Sequence, residues 1–234
     1  MGRCPSLLAP APLSMFFDLS TLFTDEELPR KPQQQRSLAK QRAIFEATAD
    51  LLAEKGYTHT NTKEIAARAG VSIGTLYFNF KDKRQILIGM LASQVSRYAE
   101  LEAVDPLAVE KDPISYFADQ LKLAFPYDRV FYSLADGVRE LAAQDSVFRG
   151  KLLVLVGAVN QRVQEIIRAG DAADMLHANL DVNATAGTVS ALIFNLYAVL
   201  PNPADVSEEF YWRRFDVAVR MIVGVIFREE YLSR

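Results

Sequence analysis

The sequence predicts an all-α protein: a three-helix helix-turn-helix head joined to a larger helical-bundle body. Three observations predict it. Apolar residues recur every three to four positions over most of the chain, no stretch alternates with the two-residue period of a strand, and Gly, Pro and Asp cut the periodic runs at capping positions. The chain has 234 residues, 50% of them hydrophobic, enough to bury one large core or two small ones.

Taken in order, residues 1–35 read as a flexible tail ending in the polar run Arg30-Lys31-Pro32-Gln33-Gln34-Gln35. An apolar patch at 15–28 suits a short helix, and Met15 offers a second start site. The first long helix covers 37–55, with Ile44, Thr48, Leu51 and Leu52 on one face and Gly56 as its stop. A short helix over 62–69 opens on a capping box, Asn61 with Glu64. Gly70 supplies a tight turn, and Ser72 caps a third helix over 73–80. Asp82 caps a fourth, about 83–98, whose stripe is Ile86, Leu87, Met90, Leu91 and Gln94. The head is therefore set at 36–82 and the body at 83–234, with the fourth helix as connector. Five further helices are expected, at 113–126 with Pro113 in the first turn, 128–143, 146–169, 182–200 and 207–230.

Composition excludes several classes. The lone Cys4 can form neither an internal disulfide nor a cysteine metal cage, and His59 and His177 have no ligand spacing around them, so no metal and no cofactor are expected. There is no phosphate-binding glycine loop and no defensible pair of catalytic carboxylates, which argues against an enzyme. Residues 182–200 carry no charge, yet Asn183, Thr185, Thr188, Ser190 and Asn195 favour a buried bundle helix over a membrane span. A cytoplasmic protein is expected. The net charge is −3, but residues 30–97 hold twelve Lys/Arg against five Asp/Glu, a net +7 that leaves −10 for the rest. A basic head on an acidic body suggests that the head faces a polyanion and the body stays off it.

The helix-turn-helix supplies the chemistry. In 62–77, Ile65, Ala66 and Ala69 form an inner face small enough for close helix crossing, and Val71 plugs the core behind the Gly70 turn. In the third helix Leu76 and Phe80 point inward, which leaves Thr75, Phe78 and Asn79 outward with Tyr77 on their flank. Hydroxyls, an amide and rings suit a DNA major groove, where they can bond base edges and touch thymine methyls. Lys81 and Lys83 follow the third helix, while Lys40 and Arg42 on the first helix and the arm residues Arg30, Lys31 and Arg36 offer further phosphate or minor-groove contacts.

Arg42, Gly56-Tyr57, Ile65-Ala66, Ala69-Gly70-Val71-Ser72, Gly74-Thr75-Leu76-Tyr77, Phe80 and Lys83 together resemble the amino-terminal domain of the TetR/AcrR family of transcriptional regulators. The resemblance covers about 60 residues and implies DNA contacts from Thr75, Tyr77, Phe78 and Asn79, with phosphate contacts from Lys83 and from Thr62 at the start of the second helix. Ile73 stands where many members carry a polar or basic residue. The full candidate set is Thr62, Ser72, Ile73, Gly74, Thr75, Tyr77, Phe78, Asn79, Lys81, Lys83, Arg36 and Lys40.

A homodimer on palindromic double-stranded DNA is expected, since paired heads match two-fold sites. The candidate interface is Ala184, Gly187, Thr188, Ala191 and Asn195 with Phe215, Ala218, Ile222 and Val225. The resemblance implies an effector pocket in the body for a largely apolar small molecule, and Phe117, Tyr127, Phe131, Tyr132, Phe194, Tyr197 and Trp212 are its candidate lining. The function expected is a sequence-specific regulator, a repressor released by its effector. The alternative is a helical ligand-binding or adaptor protein whose helix-turn-helix has lost its DNA affinity.

Overall fold

The computed structural model describes residues 19–30, 35–99, 103–124, 126–200, 202 and 204–232. Among them are the helices α1 (Gln35–His59), α2 (Thr62–Arg68), α3 (Ile73–Asn79), α4 (Lys83–Ala99), α5 (Pro106–Lys111), α6 (Pro113–Ala124), α7 (Arg129–Gln144), α8 (Ser146–Ala172), α9 (Val182–Val199) and α10 (Glu208–Gly224). Short 3-10 turns lie at Leu19–Thr21 and Glu229–Tyr231. No helix among the described residues is long and apolar enough to cross a membrane.

Local chemistry sets most helix ends. The regular part of α1 stops at Gly56, whose φ of 76° is open to glycine at little cost. The side chains of Asn61, Ser72, Asp128, Asp145, Asp181 and Ser207 each accept a hydrogen bond from a first-turn N–H. Helix α5 was not expected, although Asp105-Pro106 opens it with the same Asp-Pro pair that marks α6. The last helix ends at Gly224, short of the expected 230. There the chain turns so that Ile226 and Phe227 enter the core. The Arg228 N–H donates to Met175 O (3.0 Å) and the His177 N–H to Ile226 O (3.2 Å).

Two hydrophobic cores follow. One is built by Ile44, Leu51 and Leu52 of α1, Ile65, Leu76, Phe80 and the α4 residues Ile86, Leu87 and Ile88. It continues without a break into Leu134 and Leu141 of α7 and Phe148 and Leu155 of α8. The other joins Phe117, Tyr132, Ile166, Ile167, Val189, Tyr211, Phe215 and Phe227. The border expected between 82 and 83 therefore crosses a single core. Helix α7 seals it: a Cβ on Gly137 would come within 3.1 Å of both Leu52 and Leu87. Its Glu140 accepts from the Thr58 N–H (3.1 Å) and hydroxyl (3.2 Å), and Gln144 donates to the same hydroxyl (2.9 Å).

Residues 19–30 correct the expectation of a flexible tail. Leu19 and Phe23 are buried in the first core, Phe23 at 2% exposure with its ring 6.2 Å from that of Phe148. Burying a side chain of this size stabilises by about 1.5–3 kcal/mol, enough to hold a short segment down. Glu27 bridges Arg84 of α4 (3.0 Å) and Lys151 of α8 (2.5 Å). Gln85 donates to the carbonyls of Glu26 (2.8 Å) and Leu28 (3.0 Å). Burial alone would raise the Glu27 carboxyl, but hydrogen bonds from Lys151, the Thr24 backbone and Arg84 hold it down at about 2. Residues 1–18 of the expected tail, Met15 among them, and Lys31 lie outside the described residues.

Candidate nucleic-acid interface

Helices α2 and α3 meet through a turn whose geometry matches its residues. Gly70 takes φ 64°, with nothing within 4 Å of where a Cβ would stand. The glycine there answers to backbone conformation, not to crowding. Leu76 and Phe80 are fully buried, and the Phe80 ring lies 5.8 Å from that of Phe45. This anchors α3 by its inner edge and decides what faces out.

The outward residues fall into two groups. Tyr77 (52% exposed), Phe78 (68%), Ile73 and Gly74 present the apolar and aromatic surface. The Tyr77 hydroxyl shares a 3.0 Å hydrogen bond with Thr62 Oγ1, which brings the start of α2 and the flank of α3 to one point. Ser72, Thr75 and Asn79 are engaged within the helix itself. The Ser72 Oγ caps the Thr75 N–H (3.1 Å) and pairs with Thr75 Oγ1 (2.9 Å), while Asn79 Nδ2 donates to Thr75 O (2.8 Å). Thr75 and Asn79 are half-buried, so the readiest face for a partner is Ile73, Gly74, Tyr77 and Phe78. Glycine 74 has no packing reason to be glycine: an added Cβ would meet only Ser72 Oγ, at 3.9 Å. A small residue at an open position suits a partner that approaches the helix closely.

The cations divide into paired and unpaired ones. Arg68 pairs with Glu54 through two bonds (2.7 and 2.9 Å), Lys55 with Glu64 (2.5 Å), Arg42 with Glu46 (3.1 Å) and Arg129 with Asp50. Arg36, Lys40, Lys63 and Lys81 are exposed and make no ion pair among the described residues. Sequence grouped Arg36, Lys40 and Lys81 with the site on charge alone. Structure separates them from the paired cations of the same segment.

Lys83 is placed differently from the phosphate contact expected of it. Its ammonium donates to the carbonyls of Tyr57 (2.8 Å), Thr60 (3.0 Å) and Thr58 (3.2 Å) and lies 4.4 Å from the Tyr57 ring centroid. All three N–H groups are thus committed to the α1–α2 connector. Burial lowers the Lys83 ammonium from its ordinary value, with Glu140 pulling the other way. Burial likewise raises the Tyr57 phenol to about 12. The local sequence held no sign of this arrangement, because the donor and its acceptors lie 23–26 positions apart.

The body departs from expectation in two places. Phe215 and Ile222, assigned to a dimer interface, are buried inside the chain. The exposed stripe of α10 is shifted by one helical position and carries Phe210, Val217 and Met221 (69% exposed), with Ala218 half-buried beside it, while Val225 at the C-cap is exposed. On α9, Ala184, Gly187, Thr188, Ala191 and Asn195 are exposed as expected, together with Leu192. The Thr188 hydroxyl and the Asn195 amide nitrogen donate to the carbonyls of Ala184 (2.9 Å) and Ala191 (2.7 Å), which ties those donors back to the helix.

The aromatics assigned to a pocket are mostly core. Phe117 and Tyr132 are buried, and Phe131 packs edge-on against Tyr132 (5.7 Å). The Tyr132 hydroxyl donates to that of Tyr211 (3.0 Å), and Tyr127 donates to Val206 O (2.9 Å). Phe194 and Tyr197 have side chains outside the described set. Trp212 does line an open cleft of about 560 Å³ between α6 and α10, with Phe215, Ile114 and Ala118 as apolar neighbours and Asp119, Lys122, Asp216 and Arg220 among its polar lining.

Similarity to known proteins falls on the same elements. Residues 44–90 match the family described as bacterial regulatory proteins, tetR family. The fatty acid metabolism regulator protein of Bacillus subtilis is 26% identical over 176 residues, covering 67% of this chain and 87% of that protein. The HTH-type transcriptional regulator AcrR of Shigella flexneri is 25% identical, covering 77% and 87%. Among solved structures, the SmeT–triclosan complex superposes with a TM-score of 0.61 at 18% identity, over 82% of this chain and 94% of that one. That last likeness establishes the shared fold. The matched segment runs from the core face of α1 through the outward face of α3 to α4, and over it the chain is similar to the tetR family of bacterial regulatory proteins.

Proposed function

We propose that the protein is a sequence-specific DNA-binding regulator of transcription that docks α3 in the major groove and acts as a repressor. One observation carries the reading: α3 is capped and anchored on its inner edge, yet it leaves Tyr77 and Phe78 exposed beside an open Gly74, with the Arg30 guanidinium over the Phe78 ring. Exposed rings are costly on a surface that meets only water, and useful where base edges and thymine methyls cover them. Two heads are joined through the apolar faces of α9 and α10, so that two copies of α3 stand about 34–36 Å apart, one DNA turn. The operator is then palindromic, and the protein works in the cytoplasm beside its DNA.

A largely apolar small molecule acts as the effector, and the Trp212–Phe215 cleft is its site. The mechanism follows from the shared core. Helix α7 packs on both α1 and α4, and Arg84 of α4 lies over the Phe148 ring of α8, so a ligand that favours a shifted body alters the angle of the heads. A coupling of about 1–3 kcal/mol changes DNA affinity five- to 150-fold. The test is selection of binding sites from random duplex DNA by the purified full chain, followed by gel shift. A palindromic consensus bound at nanomolar to ten-nanomolar concentration is expected; failure to retain any duplex at low salt overturns the reading.

A further inference from the structure

The segment 19–30 leads from the body to the edge of the recognition helix, and its last described residue is a cation. Phe23 is buried against Phe148 of α8, Glu27 is held by Lys151 and Arg84, and Gln85 of α4 takes the carbonyls of Glu26 and Leu28. Pro29 then lies on Gly89, where a Cβ would come within 2.9 Å of Pro29 Cγ and 3.3 Å of Phe80. The next residue sets its guanidinium over the Phe78 ring, 5.3 Å from the centroid. Phe78 is the most exposed large apolar side chain of α3. Arg30 is itself exposed and makes no ion pair among the described residues.

We propose that residues 19–30 form a strap that belongs to the DNA-reading surface, and that Arg30 donates to a backbone phosphate bordering the groove entered by α3. This deepens the reading of α3 as the recognition helix and rests on it. The geometry supplies two requirements of a phosphate contact. The guanidinium is pre-positioned, because the strap is fixed at Phe23, Glu27 and Pro29 and the ring of Phe78 limits the swing of the side chain. It is also uncommitted, since among the described residues Arg30 makes no ion pair and no hydrogen bond, and its contact with the Phe78 ring uses none of its N–H donors. The strap adds a cation from a part of the chain outside the helix-turn-helix. Because its anchors include α8, the contact is held by the body rather than by the head alone.

The experiment compares wild type, Arg30→Ala and Arg30→Lys of the full chain on the selected duplex, with affinity measured from about 50 to 300 mM salt. Each phosphate contact steepens log K against log salt by about 0.9 on duplex DNA. Arg30→Ala is expected to flatten the slope by about 0.9 for each bound head, and Arg30→Lys to restore most of it. A packing role alone would change affinity without changing the slope. An Arg30→Ala slope equal to that of wild type therefore overturns the inference and leaves the recognition helix untouched. If wild type binds no duplex, the reading of α3 fails first and the inference falls with it.

Discussion

Replacing Lys83 with Met separates a structural staple from a phosphate contact. Its ammonium donates to three carbonyls of the α1–α2 connector at 2.8, 3.0 and 3.2 Å. Bonds from a charged donor contribute about 1.5–3 kcal/mol each, but these three share one ammonium and are not additive. The Thr58 carbonyl is exposed and regains water when the lysine is gone. Those of Tyr57 and Thr60 are partly buried, and each loses about 1–3 kcal/mol of satisfaction. Against this stands the relieved desolvation of the ammonium, whose lowered proton affinity shows that burial works against its charge. The net expected loss is about 2–4 kcal/mol, a fall in Tm of about 4–15 °C for a chain of this size. Calorimetry gives the Tm, and gel shifts at several salt concentrations give the slope. Lys83→Met should melt early and keep the wild-type salt slope. A variant that melts with wild type but loses about 0.9 in slope would refute the argument and return Lys83 to the DNA.

Three further outcomes are expected. Gly74→Ala should leave the Tm unchanged or higher, since the site is open and alanine is the better helix former by up to about 1 kcal/mol, yet weaken DNA binding at least about tenfold. Equal affinity would show that nothing approaches α3 there. Met221→Glu should convert the dimer to monomer in sedimentation at micromolar concentration, by about 100-fold or more in Kd, because it sets an unpaired charge in the proposed interface; an unchanged dimer would move the interface elsewhere. Glu27→Gln should remove part of the acid sensitivity. A carboxyl at about 2 in the folded chain and 4.5 unfolded adds stability above pH 4.5 that is lost as the pH falls toward 2, so the gap between wild type and variant should close over that range in urea denaturation.

What could be read from sequence, and what could not, divides by the distance over which the signal acts. Capping by Asn61 and Ser72 and the glycine stops at 56 and 70 are local, decided within four residues, and the helix-turn-helix emerged with its inward and outward sides correctly sorted at Leu76, Phe80, Tyr77 and Phe78. Helix α5 was equally local, and its Asp105-Pro106 signal was passed over. The α10 register failed for another reason. That helix is apolar on several sides, so periodicity alone did not choose between Phe215 and Ile222 on one side and Val217 and Met221 on the other. The pocket failed because an aromatic that lines a cavity and one that fills a core obey the same pattern. The strap, the Glu140 and Gln144 grip on Thr58 and the inward turn of Lys83 join residues 23 to 124 positions apart, and no window along the chain contains both partners.

Helix α7 closes directly on α1 and α4, with no linker between the helix-turn-helix and the body. Cut at 82, a recombinant head would lose Leu87 with the rest of α4 and present Leu52 to water where Gly137 had covered it, and it would aggregate or melt rather than bind. Chimaeras that graft this head onto another sensor should fail unless α7 travels with it. Selection on either half then constrains the other, so that change in one is accepted when its neighbour across the junction changes in step.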